Sequence, residues 1–171
     1  MSVESTSSLN LYAYGSASPN PGQGGYAATW SSDQQNGRVS GGYRHSTCVR
    51  LAMIAVIEGL RHCPDADLIT IHSDQQYLVE AFQRGGWRAW RQNGWRRGSA
   101  KGGALQNVDL WERLLAAIGA KTGRITWRQA DKKCDERKRC KELALEARST
   151  TNLAEDLRTN VSSSDGRLCV N

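Results

Sequence analysis

The chain has 171 residues, 39% of them hydrophobic and 23% charged, with a formal net charge of +6: the balance of an ordinary globular protein, long enough for one domain with a proper core and short for two. No run of 18 apolar residues is present, and the opening MSVESTSSLN lacks both the basic and the apolar region of a secretory leader, so neither a helical membrane span nor a signal segment is expected. Five cysteines (48, 63, 134, 140, 169) without C-x-x-C spacing and three scattered histidines (45, 62, 72) speak against a zinc site or disulfide framework, and for free thiols in a reducing, cytoplasmic compartment.

Residues 1–8 read as a disordered lead. Short alternating runs at 9–14, 25–31 and 38–44 are separated by PNPGQGG and SDQQNG, which predicts a three-stranded antiparallel meander. Ser46 or Thr47 then caps a helix with the body VRLAMIAVIEGLRHC, stopped by Pro64. ADLITIHSD (66–74) is a buried strand. QQYLVEAFQR is a short helix that runs into a basic, tryptophan-bearing stretch. NVDLWERLLAAIGA (107–120) is an amphipathic helix, GRITWRQA a last strand and DERKRCKELALEAR a last helix. The domain is expected over 9–150, with 151–171 as a C-terminal tail. The order predicts an α/β fold whose sheet has mixed direction.

The charge is unevenly placed. Residues 81–108 carry Arg84, Arg88, Arg91, Arg96, Arg97 and Lys101 with no carboxylate, and Trp87, Trp90 and Trp95 are interleaved among them. Arginines favour a phosphate backbone through counterion release, and indoles stack on sugars or bases. The alternative is a solvated face whose tryptophans pack inward. A second basic run, DKKCDERKRCK (131–141), is mixed in sign.

YGSASPNPGQGGYAA (14–28), RLAMIAVIEGL (50–60), SDQQYL (73–78), GWRAWRQNGWRRG (86–98), NVDLWERL (107–114) and RCKELA (139–144) resemble, in order and spacing, the ribonuclease HI (RNase H-like) family, of the bacterial type with a basic handle at 86–98. The resemblance implies a mixed five-stranded sheet, three antiparallel strands followed by parallel additions, flanked by helices. It also implies cleavage of the RNA strand of an RNA–DNA hybrid, with four carboxylates holding two divalent ions and a loop histidine assisting.

At the positions that match those groups stand Tyr14, Ala52, Asp74 and Lys141, with Asp131 in place of the histidine. One carboxylate of four remains, and the four together are close to neutral. A dication near Lys141 costs several kcal/mol at an effective dielectric of about 20. The expectation is therefore a degenerate site that binds no Mg²⁺, in which Lys141 pairs with Asp74 and Tyr14 donates its hydroxyl to the same carboxylate. Glu58 and Glu142 lie on the wrong helix faces to compensate; Asp131 is the acid best placed to do so.

Of the contacts the resemblance implies for nucleic acid, Asn20 and Gln76 match minor-groove residues, and Thr47 matches a phosphate-pocket hydroxyl at a helix N-terminus. Trp87, Arg88, Trp90, Arg91, Trp95, Arg96, Arg97 and Lys101 belong to the handle. Cys48 and Val49 replace two asparagines of the family, and Trp111 and Trp127 are expected to serve packing. The expected function is a catalytically inactive protein that binds an RNA–DNA hybrid or A-form-like duplex without cleaving it. Two alternatives stand beside it: a protein-interaction or assembly module, and a residual metal-dependent ribonuclease using Asp74 and Asp131.

Overall fold

The computed structural model describes residues 5–98 and 103–157. Among these, the elements in chain order are β1 (Ser8–Ala17), β2 (Gly22–Ser32), β3 (Asn36–Ser46), α1 (Cys48–His62), β4 (Leu68–Ser73), α2 (Gln76–Gln83), α3 (Gly86–Gln92), α4 (Val108–Gly119), β5 (Arg124–Gln129) and α5 (Asp135–Arg148). The strands form one sheet in the order β3-β2-β1-β4-β5. β1, β2 and β3 pair antiparallel, while β4 joins β1 and β5 joins β4 in parallel. This is the mixed five-stranded sheet that the sequence implies.

Alternation along β1 separates its two faces. Leu9, Leu11 and Ala13 enter the main core with α1, α4 and α2, whereas Tyr14 turns to the opposite face and packs with Ala27, Leu143 and Ala144 under α5. α1 is buried over nearly its whole circumference from Arg50 to Leu60. Its first turn is capped by Thr47, whose hydroxyl accepts the Arg50 N–H at 3.2 Å, and it ends at Cys63 just before Pro64. Gly15 lets β1 lie directly on this helix, because a Cβ there would strike the backbone of Leu51 and Ala52.

The short helix read in QQYLVEAFQR is α2, and the tryptophan-bearing stretch after it begins with a further helix, α3, that was not expected. Gly85 has φ 73°, a left-handed conformation that ends α2 and redirects the chain into α3. Part of the segment set off as a tail is built into the domain. Ala154 bridges to Tyr43, Leu153 is buried, and Asp156 lies between Ser46 and Arg50. The rest of that segment, from 158 onward, lies outside the described residues.

Candidate active site

Parallel pairing sets Ala13 of β1 against Ser73 of β4. Tyr14 and Asp74, one step further on, therefore stand side by side where the two strands end. β5 adds Asp131 at the same end: the Ala130 N–H donates to the Ser73 carbonyl at 2.9 Å, and Gln129 Nε2 donates to the Asp74 carbonyl at 2.9 Å. The C-terminal ends of parallel strands are the usual ligand-binding edge of such sheets. Ala52 is buried on α1 against Gly15 and brings no polar group. Asp131 is exposed, and its Oδ1 accepts the Lys133 N–H at 2.9 Å within its own turn.

The cation on Asp74 is not the one expected. Lys141 is exposed and does not make the pair; Arg137 does. Its Nε donates to Asp74 Oδ2 at 3.0 Å and Oδ1 at 3.3 Å, and Nη2 donates to Oδ2 at 2.6 Å. The guanidinium lies over the ring of Tyr14, 5.1 Å from its centroid. Tyr14 thus presents its face to a cation, where the sequence led us to expect its hydroxyl on the carboxylate. Hydrogen bonding to Asp74 pushes the Arg137 pKa above its ordinary value, with burial opposing. The physical reason for the correction is reach and shape. Residues 137 and 141 are four apart on one face of α5, and a planar fork matches a carboxylate with two donors where an ammonium offers a point charge. The spacing to Lys141 was the one signal in the sequence that pointed to Arg137.

Glu58 and Glu142 serve other partners, as their helix faces imply: Glu58 pairs with Arg61 and Arg113, and Glu142 with Arg139. A groove of about 610 Å³ runs between α5 and β1–β3, walled by Tyr12, Trp30, Arg38, Glu136 and Arg139 among others. Asp74 is not part of its wall, so the groove lies beside the site.

The residues expected to meet nucleic acid divide into two sets. Asn20 Oδ1 accepts the Cys48 N–H at 3.1 Å, which ties the β1–β2 turn to the start of α1. Thr47 is buried as the cap already described. Gln76 is exposed and donates to Glu80 at 2.8 Å. In the handle, the indoles turn inward: Trp90 stacks on Tyr77, Trp95 lies against Trp111, and Trp87 packs on Phe82. Arg88, Arg91, Arg96 and Arg97 are exposed, with Arg88 over the Trp87 ring at 4.9 Å. Lys101 lies outside the described residues. Trp111 and Trp127 are buried packing residues.

Fold and edge together define an α/β protein with an RNase H-like sheet and an acid at the end of β4. The RNase H family model matches residues 6–149. Ribonuclease H of Syntrophus aciditrophicus (strain SB) is 37% identical over 146 residues, covering 85% of this chain and 83% of that protein. Ribonuclease HI of Synechocystis sp. (strain ATCC 27184 / PCC 6803 / Kazusa) is 33% identical over 151 residues, covering 87% and 93%. The crystal structure of LC11-RNase H1 in complex with RNA/DNA hybrid shares the fold with TM-score 0.61 and 16% identity, over 81% of this chain and 95% of that one. The chain belongs to the RNase H family.

That membership overturns the reading of a protein without catalysis. Relatives that match across most of both chains are named as ribonucleases. With it falls the expectation that Mg²⁺ binding is lost, which rested on charge counting at four positions alone. What the structure does establish is narrower. Tyr14, Ala52 and Lys141 supply no carboxylate, Asp74 is held by Arg137, and no cluster of three or more His, Cys, Asp or Glu able to hold a metal occurs among the described residues.

Proposed function

We propose that this chain is a metal-dependent ribonuclease acting on the RNA strand of an RNA–DNA hybrid. Asp74 is its essential carboxylate, and Asp131 is the second acid at the same end of the sheet. The observation that carries this reading is the family match over 6–149 combined with an aspartate retained at the end of β4.

Hybrid as the substrate is supported by the solved relative that holds an RNA/DNA hybrid on the same fold. It is also supported by the exposed guanidinium groups of Arg88, Arg91, Arg96 and Arg97, in a stretch without a carboxylate to neutralise them. Such a surface binds phosphates by counterion release and reads duplex shape rather than sequence. Asn20 and Gln76 are assigned to the minor groove of the hybrid and Thr47 to a phosphate at the start of α1, and Trp87, Trp90 and Trp95 act by holding the handle against the core. Among the described residues no helix is long and apolar enough to cross a membrane, and the described cysteines are free thiols, which fits a reducing cytoplasm.

The test is a uniform RNA–DNA hybrid incubated with purified protein and Mg²⁺ or Mn²⁺. Cutting of the RNA strand, abolished by Asp74→Asn, is the expected outcome. An intact RNA strand in both metals, or cutting that survives Asp74→Asn, defeats the assignment.

A further inference from the structure

Parallel strands are ordinarily covered on both faces, whereas the parallel set β1, β4 and β5 is covered on one. The side that carries Ile69, Ile71 and Trp127 lies in the main core. On the other side α5 lies over β1, β2 and β3, and among the described residues its first turn reaches this set only at Tyr12 and His72. The register lays the open side out in rows across the three strands. Tyr12, His72 and Arg128 form the row nearest Asp74, with the Tyr12 and His72 rings stacked at 4.2 Å. Behind it Thr126 donates its hydroxyl to that of Thr70 at 3.3 Å, and Arg124 stands in the row after.

None of these rows holds a carboxylate. Asp67 and Glu136, the acids at the two ends of the face, are already engaged: Asp67 accepts from the Ser7 N–H and hydroxyl at 2.7 and 2.8 Å, and Glu136 from the Cys134 thiol at 2.7 Å. Arg124 and Arg128 are exposed, and neither pairs with a carboxylate among the described residues. Lys132 and Lys133, both exposed, extend the same charge beyond β5. Four residues of strand set the two arginines about 13 Å apart, with hydroxyls and stacked rings beside them. A second copy of this chain suits the face poorly, because a two-fold contact would gather four guanidinium groups with no carboxylate to answer them. A single strand of nucleic acid suits it: phosphates meet the arginines, and sugars and bases meet the hydroxyls and rings. The face also begins where the site ends. Gln129, next to Arg128, donates to the Asp74 carbonyl at 2.9 Å. Resting on the ribonuclease reading above, we propose that the open face of β1, β4 and β5 binds the single strand that runs off the end of a bound hybrid. The preferred substrate is then a hybrid with a single-stranded extension, and Arg124 and Arg128 hold the phosphates of that extension.

Fluorescence anisotropy in EDTA compares a blunt hybrid with the same hybrid carrying a DNA extension of about ten nucleotides, the span of a single-strand site, at its 3′ end in one probe and its 5′ end in another. In wild type one of the two extensions is expected to tighten binding about tenfold at 50 mM salt. That gain shrinks about sevenfold by 200 mM, the effect of two phosphate contacts at a slope of about 0.7 each. In Arg124→Ala/Arg128→Ala the gain falls below about twofold while the blunt hybrid binds as before; Arg124→Lys/Arg128→Lys keeps the charge and retains the gain. Thr126→Glu sets an acid between the arginines and removes the gain as well, which decides the matter if circular dichroism shows that the alanine pair does not fold. Three results each overturn the proposal: neither extension tightens binding, the gain survives the alanine pair, or blunt and extended hybrids lose equally. A gain erased by poly-glutamate as readily as by an unlabelled single strand of equal charge also overturns it, and makes the face a seat for an acidic protein. These readouts involve no turnover. A chain that passes them yet leaves a hybrid uncut with Mg²⁺ or Mn²⁺ refutes the ribonuclease reading alone, and one that cuts but fails them refutes the single-strand face alone.

Discussion

Asp156 is the residue on which the docked C-terminal segment turns, and Asp156→Ala measures how much of the fold depends on it. Its Oδ1 accepts from Arg50 Nη2 at 2.7 Å, and its Oδ2 accepts from Arg50 Nε at 2.8 Å and from the Ser46 hydroxyl at 2.7 Å. The two charged side chains are only 4% and 5% exposed. Deleting one partner of such a pair leaves a buried charge uncompensated, at a cost of about 3–5 kcal/mol. Arg50 keeps Asp109, which accepts from Nη1 and Nη2 at 3.0 Å each, and Asn107 at 3.3 Å. That places the loss near the lower limit, about 3 kcal/mol. In urea unfolding followed by circular dichroism, with a slope of about 2 kcal/mol/M, the midpoint falls by about 1.5 M. Glu155→Ala is the control. Its pair with Arg44 joins side chains 67% and 41% exposed, so the loss stays within about 1 kcal/mol. If Asp156→Ala costs no more than Glu155→Ala, the segment is not a clasp, and the reasoning from burial and bidentate geometry fails.

Replacing Arg88, Arg91, Arg96 and Arg97 together by alanine weakens hybrid binding and lowers the slope of log K against log salt by up to about four, read by titration at several salt concentrations; an unchanged slope removes the handle from the interface. Gly85→Ala forces a Cβ into a left-handed residue with φ 73°, 2.9 Å from Arg88 Nη1, and is expected to cost about 1 kcal/mol in urea unfolding. His72 stacks on Tyr12 at 4.2 Å, and burial holds its pKa below the ordinary histidine value, aided by Arg128 and opposed by Glu136. Because the unfolded chain then binds the proton more readily, the His72 contribution is complete above about pH 6.5 and is lost as pH falls through that value toward the folded pKa. His72→Asn should therefore flatten the fall in melting temperature between pH 7 and pH 5, and an equally steep fall in the variant counts against this assignment.

The parts of the fold that could be read from the sequence are those where local pattern and tertiary demand agree. α5 spans Asp135–Arg148, the stretch DERKRCKELALEAR itself, and α1 keeps its Thr47 cap because a β-region residue with a hydroxyl satisfies an otherwise orphaned N–H. α3 was harder to see: the Gly85-Gly86 pair marks the end of α2 but does not reveal that Gly85 takes a positive φ and leads straight into another helix until the chain's path is known. The clasp at 152–156 left no periodic trace at all. Its information lies in one aspartate that meets an arginine 106 residues earlier, a pairing that only the packed molecule creates.

The site shows the same limit at closer range. Position-by-position matching put an acid at Asp74 and none at Tyr14, Ala52 and Lys141, and it assigned the cation to residue 141 because the resemblance places a carboxylate at that position. Matching positions carries no information about reach. α5 offers two cations to one face, at 137 and 141, and the one that wins is the one whose planar fork can span both oxygens of Asp74 while lying flat on Tyr14. The tyrosine that looked like a blank in the sequence is thus the surface on which that arginine rests. The one acid at these positions is not idle, because Arg137 holds it. Both oxygens of Asp74 accept from that one guanidinium, Oδ2 twice, so the charge of the remaining acid is answered from within the chain, by a side chain that the carboxylate positions themselves did not name.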